Sequence, residues 1–466
     1  MIESKFFCSL SQLMNTNRND DQTVAFSGER LWAWSQFKQD VTHLTKALQT
    51  VGAQNIALCT LDTYRFTVGF IALCYAKKTI ILPGNYQPCA LAELSSQYDV
   101  LLCDSTITAS NTIQQLALTV PSCEIEKSAG QESNHNPSHF DTLQLNQVNV
   151  VLFTSGSSGQ PKPIHKTLLQ LDTEVNVLEN QWGAQLANAT IESTVSHQHI
   201  YGLLFRVLWP LCAGRAFNNI NLEYPEQVIS HCKADSVLVS SPALIKRLDE
   251  QGSTVCRAVF SSGGPLPSNA AHISKQRLGS FPWEVFGSTE TGGIAFRQQA
   301  PSSQEQAWQL FPEILAELNP EGCLKLKSPY IDPSCWYQTA DQCEMLDHTR
   351  FHLKGRADRI VKIEEKRVSL VEVEKRLEQL PWIEESAVIP IQASSRLTLA
   401  SVIVLSESGV EKITEIGKGK FWILLRSELR QWLEPVSLPK KFRVLDEIPL
   451  NSQGKRLVAQ IETLFD

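Results

Sequence analysis

Apolar residues in the first part of the chain recur at two different spacings. Trp34, Phe37, Val41, Leu44 and Leu48 follow one another at steps of three and four, which predicts an amphipathic helix. A longer apolar segment at 68–76 is typical of a buried helix, and short runs of strand length flank it at 55–61, 79–84 and 100–104. Strands that alternate with helices indicate α/β layers around a mostly parallel sheet.

Three further apolar runs each end in a cluster of serine or glycine. They cover residues 149–155, 236–241 and 256–262. Ligands of open α/β sheets bind at the carboxyl ends of the strands. We therefore expect these loops to line one shared pocket, whereas the polar residues from about 123 to 147 are typical of a surface connection.

The composition changes after residue 354. The segment 355–466 contains 18 Lys+Arg and 17 Asp+Glu, which is about a third of its length. It holds two strand-like runs, at 386–391 and 400–405, and a predicted helix whose apolar face is formed by Leu370, Val373, Leu377 and Leu380. We therefore predict an α/β protein with a large N-terminal domain of layered, mostly parallel sheets (1–354) and a small α+β domain (355–466).

Overall composition excludes several classes of protein. A net charge of −7 argues against binding to nucleic acid, whose phosphates require a basic surface. No apolar run approaches the roughly 18 residues that a membrane span needs, and the first residues lack a signal-peptide pattern. The 12 cysteines are scattered without metal-ligand spacing, so we expect reduced thiols in a cytoplasmic protein, either a monomer or a homodimer.

The run VVLFTSGSSGQPKP at 150–163 carries candidate chemistry. Backbone N–H groups can hold phosphate oxygens where side chains are small, and Lys162 adds positive charge, so the loop suits a polyphosphate. The spacing differs from the GxxxxGK[ST] phosphate loop because Pro163 follows Lys162, and from the GxSxG nucleophile motif because residue 160 is Gln160. Taken alone, the segment fits a flexible Ser/Gly-rich loop equally well.

The loop resembles the phosphate-loop signature of the adenylate-forming superfamily, which includes acyl- and aryl-CoA synthetases, nonribosomal adenylation domains and luciferases. Four more segments resemble motifs of this family in the expected order: VFGSTETGG at 285–293, YQTADQ at 337–342, the segment 353–374, and PLNSQGK at 449–455. The resemblance extends from about residue 20 to 460. It implies an acid–thiol ligase that uses ATP and Mg²⁺ to convert a carboxylate to acyl-AMP and pyrophosphate, after which a thiol accepts the acyl group.

The resemblance also implies roles for individual residues. Thr289 would bond the α-phosphate, Glu290 would hold Mg²⁺, and Lys455 would bridge the carboxylate and the α-phosphate. The small domain would be mobile and turn about Asp358 between the half-reactions, which would withdraw Lys455 from the site. Asp341 would accept hydrogen bonds from the ribose, although in isolation it resembles a plain surface charge. The implied ATP-binding set is Thr154, Ser155, Gly156, Ser157, Ser158, Gly159, Lys162, Gly287, Ser288, Thr289, Asp341 and Arg356.

The segment SHQHIYGLL at 196–204 bears on the identity of the acid. Family members that activate acyl or aryl acids place a histidine three residues before a glycine, and His199 and Gly202 match that spacing. The segment lacks the aspartate that pairs with an α-ammonium group, so we expect an aryl or fatty acid without an α-amino group. Gly263 and Gly264 would leave room for a ring or a chain. An ordinary buried histidine is the alternative for His199.

Two positions depart from the family pattern. Ala340 replaces a glycine, which is a small change. Glu365 stands where a glycine usually lines the pantetheine tunnel, and its bulk and charge favour an acyl carrier protein over free CoA as the acceptor. Ligation to CoA remains the alternative within the class. From other classes, a non-catalytic nucleotide-binding relative remains open, and a hydrolase would need a nucleophile motif that the sequence lacks.

Overall fold

A computed structural model describes most of the chain. It covers residues 7–110, 113–124, 140–155, 161–248, 252–264, 266–299, 307–356, 359–364, 366–393, 396–449 and 458–465. Within these ranges, no helix combines the length and apolar character that crossing a membrane requires.

The described residues form 24 strands. In chain order they are Thr23–Ser27 (β1), Arg30–Ala33 (β2), Asn55–Cys59 (β3), Thr79–Leu82 (β4), Val100–Cys103 (β5), Gln115–Ala117 (β6), Asn149–Ser155 (β7), Pro161–Thr167 (β8), Thr190–Ser193 (β9), Phe217–Asn218 (β10), Ser236–Ser240 (β11), Ala258–Ser261 (β12), Trp283–Ser288 (β13), Gly292–Gln298 (β14), Trp308–Leu310 (β15), Leu315–Leu318 (β16), Cys323–Lys327 (β17), Tyr337–Met345 (β18), Arg350–Arg356 (β19), Ile360–Ile363 (β20), Lys366–Ser369 (β21), Ile383–Ala393 (β22), Arg396–Leu405 (β23) and Lys441–Val444 (β24).

Helices connect many of these strands. The α-helices are Trp34–Thr50 (α1), Thr63–Tyr75 (α2), Pro88–Glu93 (α3), Pro121–Glu124 (α4), Leu168–Leu186 (α5), Ile200–Gly202 (α6), Trp209–Ala213 (α7), Pro225–His231 (α8), Pro242–Ile245 (α9), Ser268–Leu278 (α10), Leu370–Glu378 (α11), Glu407–Ile416 (α12), Lys418–Leu429 (α13) and Val458–Thr463 (α14). A π-helical turn, Leu203–Leu208, joins α6 to α7. Short 3₁₀ turns lie at Leu10–Asn15, Ser95–Gln97, Leu145–Gln147, Lys246–Leu248 and Pro435–Ser437.

A six-stranded sheet presents the predicted phosphate loop. Its order is β6-β5-β3-β4-β7-β8, with parallel pairing throughout except between β7 and β8. β7 and β8 form a hairpin in which Ser155 faces Pro161, so the loop connects the ends of two paired strands. Helices α1 and α2 confirm the two helices that the apolar pattern predicts.

The second sheet of the large domain has thirteen strands of mixed direction. Strands β1, β10, β9, β11, β12 and β13 pair in parallel, as the strand–helix alternation predicts. From β13 onward the sheet continues with antiparallel strands, and the described residues between them form no helix. Antiparallel neighbours need only short connections, so this extension leaves no alternating signal in the sequence. The predicted α/β class is confirmed, and the large sheet is mixed.

The chain after β19 forms a smaller domain with its own core. It contains the β20–β21 hairpin, the three-stranded sheet β22-β23-β24 and helices α11 to α14. Val373 and Leu377 of α11 pack with Phe421 and Leu425 of α13 in one apolar cluster. The predicted helix and both predicted strands are present as α11, β22 and β23. β19 still belongs to the large sheet and ends at Arg356, and the boundary at 354/355 stays a prediction.

Candidate active site

One cavity lies where the two domains meet, and several strands of the large domain end there. It encloses about 1250 Å³ including its open mouth. Thr154 from the end of β7, Ser262 after β12 and Ser288 from β13 all line it. Two of the three loops expected to share a pocket, at 149–155 and 256–262, therefore meet at this cavity, whereas its described lining includes no residue of 236–241.

The phosphate-loop hairpin forms one side of this cavity. Thr154 and Pro161 line it on either side of the loop. Lys162 is half-exposed, and its Nζ lies 3.9 Å from Oε1 of Glu290. The loop residues Gly156, Ser157, Ser158 and Gly159, and the side chain of Ser155, lie outside the described residues. The hairpin nevertheless places both described ends of the predicted loop at the cavity, and Lys162 lies near the carboxylate of Glu290.

The turn between β13 and β14, which we call the Thr-Glu turn (289–291), forms the opposite side. Gly287, Ser288 and Thr289 line the cavity. A Cβ at Gly287 would lie 2.3 Å from the carbonyl oxygen of Gly292, so only glycine permits this close approach of β13 to β14. The backbone N–H of Ser288 donates to Oγ1 of Thr291 at 3.1 Å, which closes the turn.

A buried lysine holds this turn from beneath. Nζ of Lys166, on β8, donates to the carbonyl oxygens of Glu290 at 2.8 Å and Tyr330 at 2.6 Å. Burial lowers the pKa of Lys166 to about 8, against the opposing attraction of Glu174 and Glu290. Lys166 is therefore a positioning residue that links the phosphate-loop hairpin to the Thr-Glu turn.

The Glu290 carboxylate is buried and faces positive charge. Nη1 of Arg367, from β21, lies 2.5 Å from its Oε2. Burial alone would raise the pKa of Glu290, but Arg367 and Lys162 outweigh it and hold that pKa below its ordinary value. Within the described ranges, no cluster of three or more His, Cys, Asp or Glu residues would hold a metal unaided. A single hard carboxylate fits Mg²⁺ that shares its coordination with phosphate and water.

The segment with the predicted histidine supplies an apolar wall. His199 precedes α6 and lines the cavity together with Tyr201, Leu204 and Phe205. Burial, and then the nearby charge of Lys366, keep the pKa of His199 well below its ordinary value, so the imidazole is neutral. A π-helical turn follows directly, a form that is frequent at functional sites.

Gly202 serves packing rather than the cavity surface. A Cβ there would lie 2.0 Å from the carbonyl oxygen of Ser196, so the close approach of α6 to residue 196 requires glycine. Of the two glycines after β12, Gly263 lines the cavity, with φ +88°. Gly264 instead faces the small domain, because its Cβ would lie 3.3 Å from the carbonyl oxygen of Glu364.

The small domain inserts positive charge into the cavity through the β20–β21 hairpin, which we call the cationic hairpin. Nζ of Lys362 donates to the carbonyl oxygen of Gly287 at 3.1 Å. Nζ of Lys366 contacts Nε2 of His199 and lies 3.0 Å from Oε1 of Glu434. With Arg367 on Glu290, three side chains of one hairpin reach the predicted site.

Other predicted residues stand apart from this group or outside the description. Asp341 is buried on β18, where its backbone is paired with that of Arg356 on β19, and the described lining of the cavity includes neither residue. The side chain of Arg356, together with Asp358, Glu365 and Lys455, lies outside the described residues. Their implied roles remain predictions.

Sequence reasoning missed several residues of the cavity. Lys366 and Arg367 belong to a charged segment whose contacts depend on how the two domains meet. Glu174 carried a detectable signal, because it occupies a position on the apolar stripe of α5, between Leu171 and Leu178. A charged residue at a core position of a helix deserves a functional interpretation.

Comparison with known proteins decides the family. The model of the AMP-binding enzyme family matches residues 14–314. The chain belongs to the AMP-binding enzyme family. Curated relatives of this family member include 4-coumarate–CoA ligase from Rhodobacter capsulatus, 27% identical over 68% of this chain and 77% of the relative. They also include D-alanine–D-alanyl carrier protein ligase from Staphylococcus aureus strain Newman, 22% identical over 70% of this chain and 73% of the relative.

Solved structures of the same fold cover nearly the whole chain. An amide bond synthetase from Marinactinospora thermotolerans superposes with a TM-score of 0.80 at 16% identity, covering 98% of this chain and all of the other. The o-succinylbenzoate CoA synthetase of Bacillus subtilis gives the same TM-score and identity, with 98% of both chains covered. These findings confirm the predicted fold, the superfamily and the class of acid–thiol ligase.

Proposed function

We propose that this AMP-binding enzyme activates a carboxylic acid with ATP and Mg²⁺ to an acyl-adenylate, releasing pyrophosphate, and transfers the acyl group to a phosphopantetheine thiol. The observation that carries the proposal is the single cavity shared by the phosphate-loop hairpin, the Thr-Glu turn and His199. A nucleotide phosphate bound between the hairpin and the turn would lie beside an acid bound along the apolar wall.

The chain's residues have complementary roles in this reaction. Mg²⁺ neutralises phosphate charge, and Glu290 would hold it. Thr289 would bond the α-phosphate, and Lys162 would attract the outer phosphates. Asp341 would bind the ribose, and Arg356 would assist near the ribose or the phosphate. Lys455 would stabilise the charge that develops between the carboxylate and the α-phosphate. Positioning and charge account for most of the catalysis, since the protein forms no covalent bond in this step.

The acid that best suits the cavity is an aryl or fatty acid without an α-amino group. Neutral His199, the aromatic rings of Tyr201 and Phe205, and the aliphatic side chain of Leu204 flank the proposed position of the acid. Residues 196–204 contain no carboxylate that would pair with an α-ammonium group. The name of the 4-coumarate–CoA ligase points to an aryl acid, which is consistent with this choice.

The proposed acceptor is an acyl carrier protein, with free CoA as the alternative. Glu365 stands where the family usually has the glycine that lines the pantetheine tunnel, and it adds bulk and negative charge at that position of the sequence. A carboxylate at position 365 disfavours the anionic nucleotide end of CoA more than a pantetheine arm on a protein. The names of the curated relatives include both CoA ligases and carrier-protein ligases, so they leave both acceptors open. We further propose a cytoplasmic enzyme.

Pyrophosphate exchange with a panel of acids tests the adenylation step. The wild type should exchange with selected aryl or fatty acids and not with α-amino acids, whereas Lys455→Ala should lose exchange by orders of magnitude while still binding ATP. Exchange with no acid, and no response to Lys455→Ala, would instead favour a non-catalytic nucleotide-binding protein.

A second stage identifies the acceptor. The preferred acid, pre-activated by the enzyme, is offered to CoA or to a holo carrier protein, and thioester formation is followed by mass spectrometry. Glu365→Gly provides the matched variant, because it restores the family's usual residue. Efficient acylation of CoA with none of the carrier protein would contradict the preferred acceptor.

A further inference from the structure

We propose that Glu174 is a specificity-determining residue that accepts a hydrogen bond from a hydroxyl group at the far end of the carboxylic acid. This inference rests on the proposed function and names the substrate class more closely, as a hydroxylated aryl or acyl acid. Three features of the molecule support this role: the position of Glu174, the glycines around it and the charge nearby.

Glu174 is a buried carboxylic acid that lines the same cavity as the phosphate-loop hairpin. The residue is 3% exposed, yet it forms part of the cavity surface together with Gly292 and Gly293. The backbone N–H of Gly293 donates to Oε1 at 2.6 Å, which fixes the carboxyl group. The reaction proposed above assigns Glu174 no role.

The sequence around Glu174 leaves room for its carboxyl group. A Cβ at Gly292 would lie 2.6 Å from Oε2 of Glu174, and a Cβ at Gly293 would lie 3.2 Å from Oε1. Two consecutive glycines at the start of β14 therefore permit this close approach. A carboxylate that only filled a core would be a costly choice here, because burying a charged group is strongly unfavourable.

Glu174 lies away from the phosphate loop, on the side of the apolar wall. Helix α5 begins at the end of β8 that is opposite to the phosphate loop, and Glu174 lies in the first two turns of this helix. Trp182 lies further along the same helix, and its ring contacts the rings of Phe205 and Phe311. Phe311 in turn would lie 3.0 Å from a Cβ at Gly293. An acid bound along Phe205 with its carboxylate near the phosphates would thus extend toward Glu174.

The surroundings of Glu174 favour a neutral donor over a cation. Lys166 already supplies positive charge nearby and stabilises the carboxylate. Burial nevertheless raises the pKa of Glu174 to about 7, so the group exists in both protonation states near neutral pH. A hydroxyl can bond either state, whereas a substrate ammonium would be repelled by Lys166. A phenolic or aliphatic hydroxyl is therefore the group that this site recognises.

The test compares matched acids that differ by one hydroxyl. Pyrophosphate exchange is measured for 4-hydroxybenzoate and benzoate, 4-hydroxycinnamate and cinnamate, and 12-hydroxydodecanoate and dodecanoate, using the wild type, Glu174→Gln and Glu174→Leu. In the best pair, the wild type should favour the hydroxylated acid in kcat/KM at least about tenfold, as expected for a hydrogen bond to a charged group. Glu174→Leu should bring this ratio to about one or below, and Glu174→Gln should give an intermediate value.

The control variant is Glu93→Gln, which removes another carboxylate of the same cavity and should keep the ratio. Thermal melting verifies that each variant folds. If Glu174→Leu does not fold, the ratios of the wild type and Glu174→Gln decide. Exchange without discrimination, or a ratio unchanged in either variant, overturns this inference but leaves the proposed function intact. Preference for 4-aminomethylbenzoate over 4-hydroxybenzoate overturns the hydroxyl class, and exchange with no acid overturns the proposed function together with this inference.

Discussion

At the scale of single residues, two buried ionisable side chains lie beneath the cavity and act differently. Lys166 donates to two backbone carbonyl oxygens and so holds the Thr-Glu turn in place. Glu174 receives one backbone N–H and lines the cavity. Each places a polar group in otherwise apolar surroundings, and the effect of substituting each residue can be predicted.

Lys166→Met should impair adenylation without removing a group that touches substrate. The change leaves the carbonyl oxygens of Glu290 and Tyr330 without their donor, which costs about 1–3 kcal/mol for each buried group left unpaired. We expect a lower melting temperature and a fall of about 10- to 100-fold in kcat of pyrophosphate exchange, since Glu290 loses its fixed position. Lys38→Met, which removes a surface lysine paired with Asp20, is the control. Full activity of Lys166→Met would refute the positioning role.

Glu174→Gln should change how stability depends on pH. Burial raises the pKa of folded Glu174 to about 7, above its ordinary value of 4.5. The folded state therefore binds this proton more tightly, and its stabilising contribution is complete below pH 4.5 and lost as pH rises through 7. Relative to wild type, Glu174→Gln should gain up to about 2–3 kcal/mol in unfolding free energy between pH 5 and 7.5. Denaturant unfolding at both pH values measures this, with the exposed Glu317→Gln as control. An equal difference at the two pH values would contradict the shifted pKa.

At the scale of elements, the cationic hairpin and a metal ion would require the same carboxylate. Nη1 of Arg367 lies 2.5 Å from Oε2 of Glu290. A Mg²⁺ ion held by Glu290 would have to displace this arginine or share the carboxylate with it. The hairpin in this position thus suits a stage at which the pyrophosphate and its metal have left. The arginine of the inserted hairpin would then supply the positive charge beside Glu290 that the departing metal had provided.

Arg367→Gln should lower the Mg²⁺ concentration needed for half-maximal pyrophosphate exchange by several-fold, because it removes a competitor for Glu290. Acyl transfer to the thiol should slow, since the inserted hairpin loses its ion pair. Lys362→Gln is the matched control, as Lys362 belongs to the same hairpin but bonds the carbonyl oxygen of Gly287. A higher Mg²⁺ requirement in Arg367→Gln would mean that the arginine assists the metal.

Local sequence patterns predicted the helices, because a helix is determined by residues that are close together in the sequence. The steps of three and four in α1 and the apolar face of α11 gave both helices, because one buried stripe suffices to fix them. The antiparallel extension of the large sheet escaped prediction, since its register depends on pairing between strands such as β15 and β19, which are distant in sequence. Thr154 was expected at the site from the composition of its loop, and Thr289 from the resemblance of 285–293 to a family motif; both residues line the cavity.

The remaining site residues depend on how the chain folds in three dimensions. Lys366 meets His199 only because the small domain rests against the large one, and a charged segment alone gives no sign of that contact. Glu174 becomes part of the cavity because two glycines of a different strand make room for it. Reading helix α5 for charged residues on its apolar face would have singled it out.

At the scale of the whole molecule, the two domains meet through contacts outside the catalytic residues. Arg376 of α11 pairs with Glu93 of α3, and Nδ2 of Asn85 donates to the carbonyl oxygen of Trp432 at 2.6 Å. The backbone N–H of Cys89 donates to the carbonyl oxygen of Gln431 at 3.3 Å. These contacts accompany the inserted hairpin, so an arrangement that frees Glu290 for a metal must break or shift them.

Gln431→Cys offers a way to test whether the domains must separate. A backbone hydrogen bond of 3.3 Å joins Cys89, a native thiol, to residue 431, and backbones paired in this way lie about 5 Å apart, within the Cα range that a disulfide spans. Oxidation of the variant should lock the domains together and suppress pyrophosphate exchange at least about tenfold, with recovery on addition of dithiothreitol. Transfer from a separately supplied acyl-adenylate to the thiol should continue, because the inserted hairpin is the arrangement we assign to that step.

Two controls separate the lock from other effects of oxidation. The wild type, which carries an exposed thiol at Cys335, is treated with the same oxidant, and Gln431→Ser reports on the loss of the glutamine alone. Mass mapping must show the 89–431 disulfide in the inactive sample. Undiminished exchange by the fully cross-linked enzyme would mean that adenylation proceeds with the hairpin inserted, and the metal would then have to bind beside Arg367 rather than in its place.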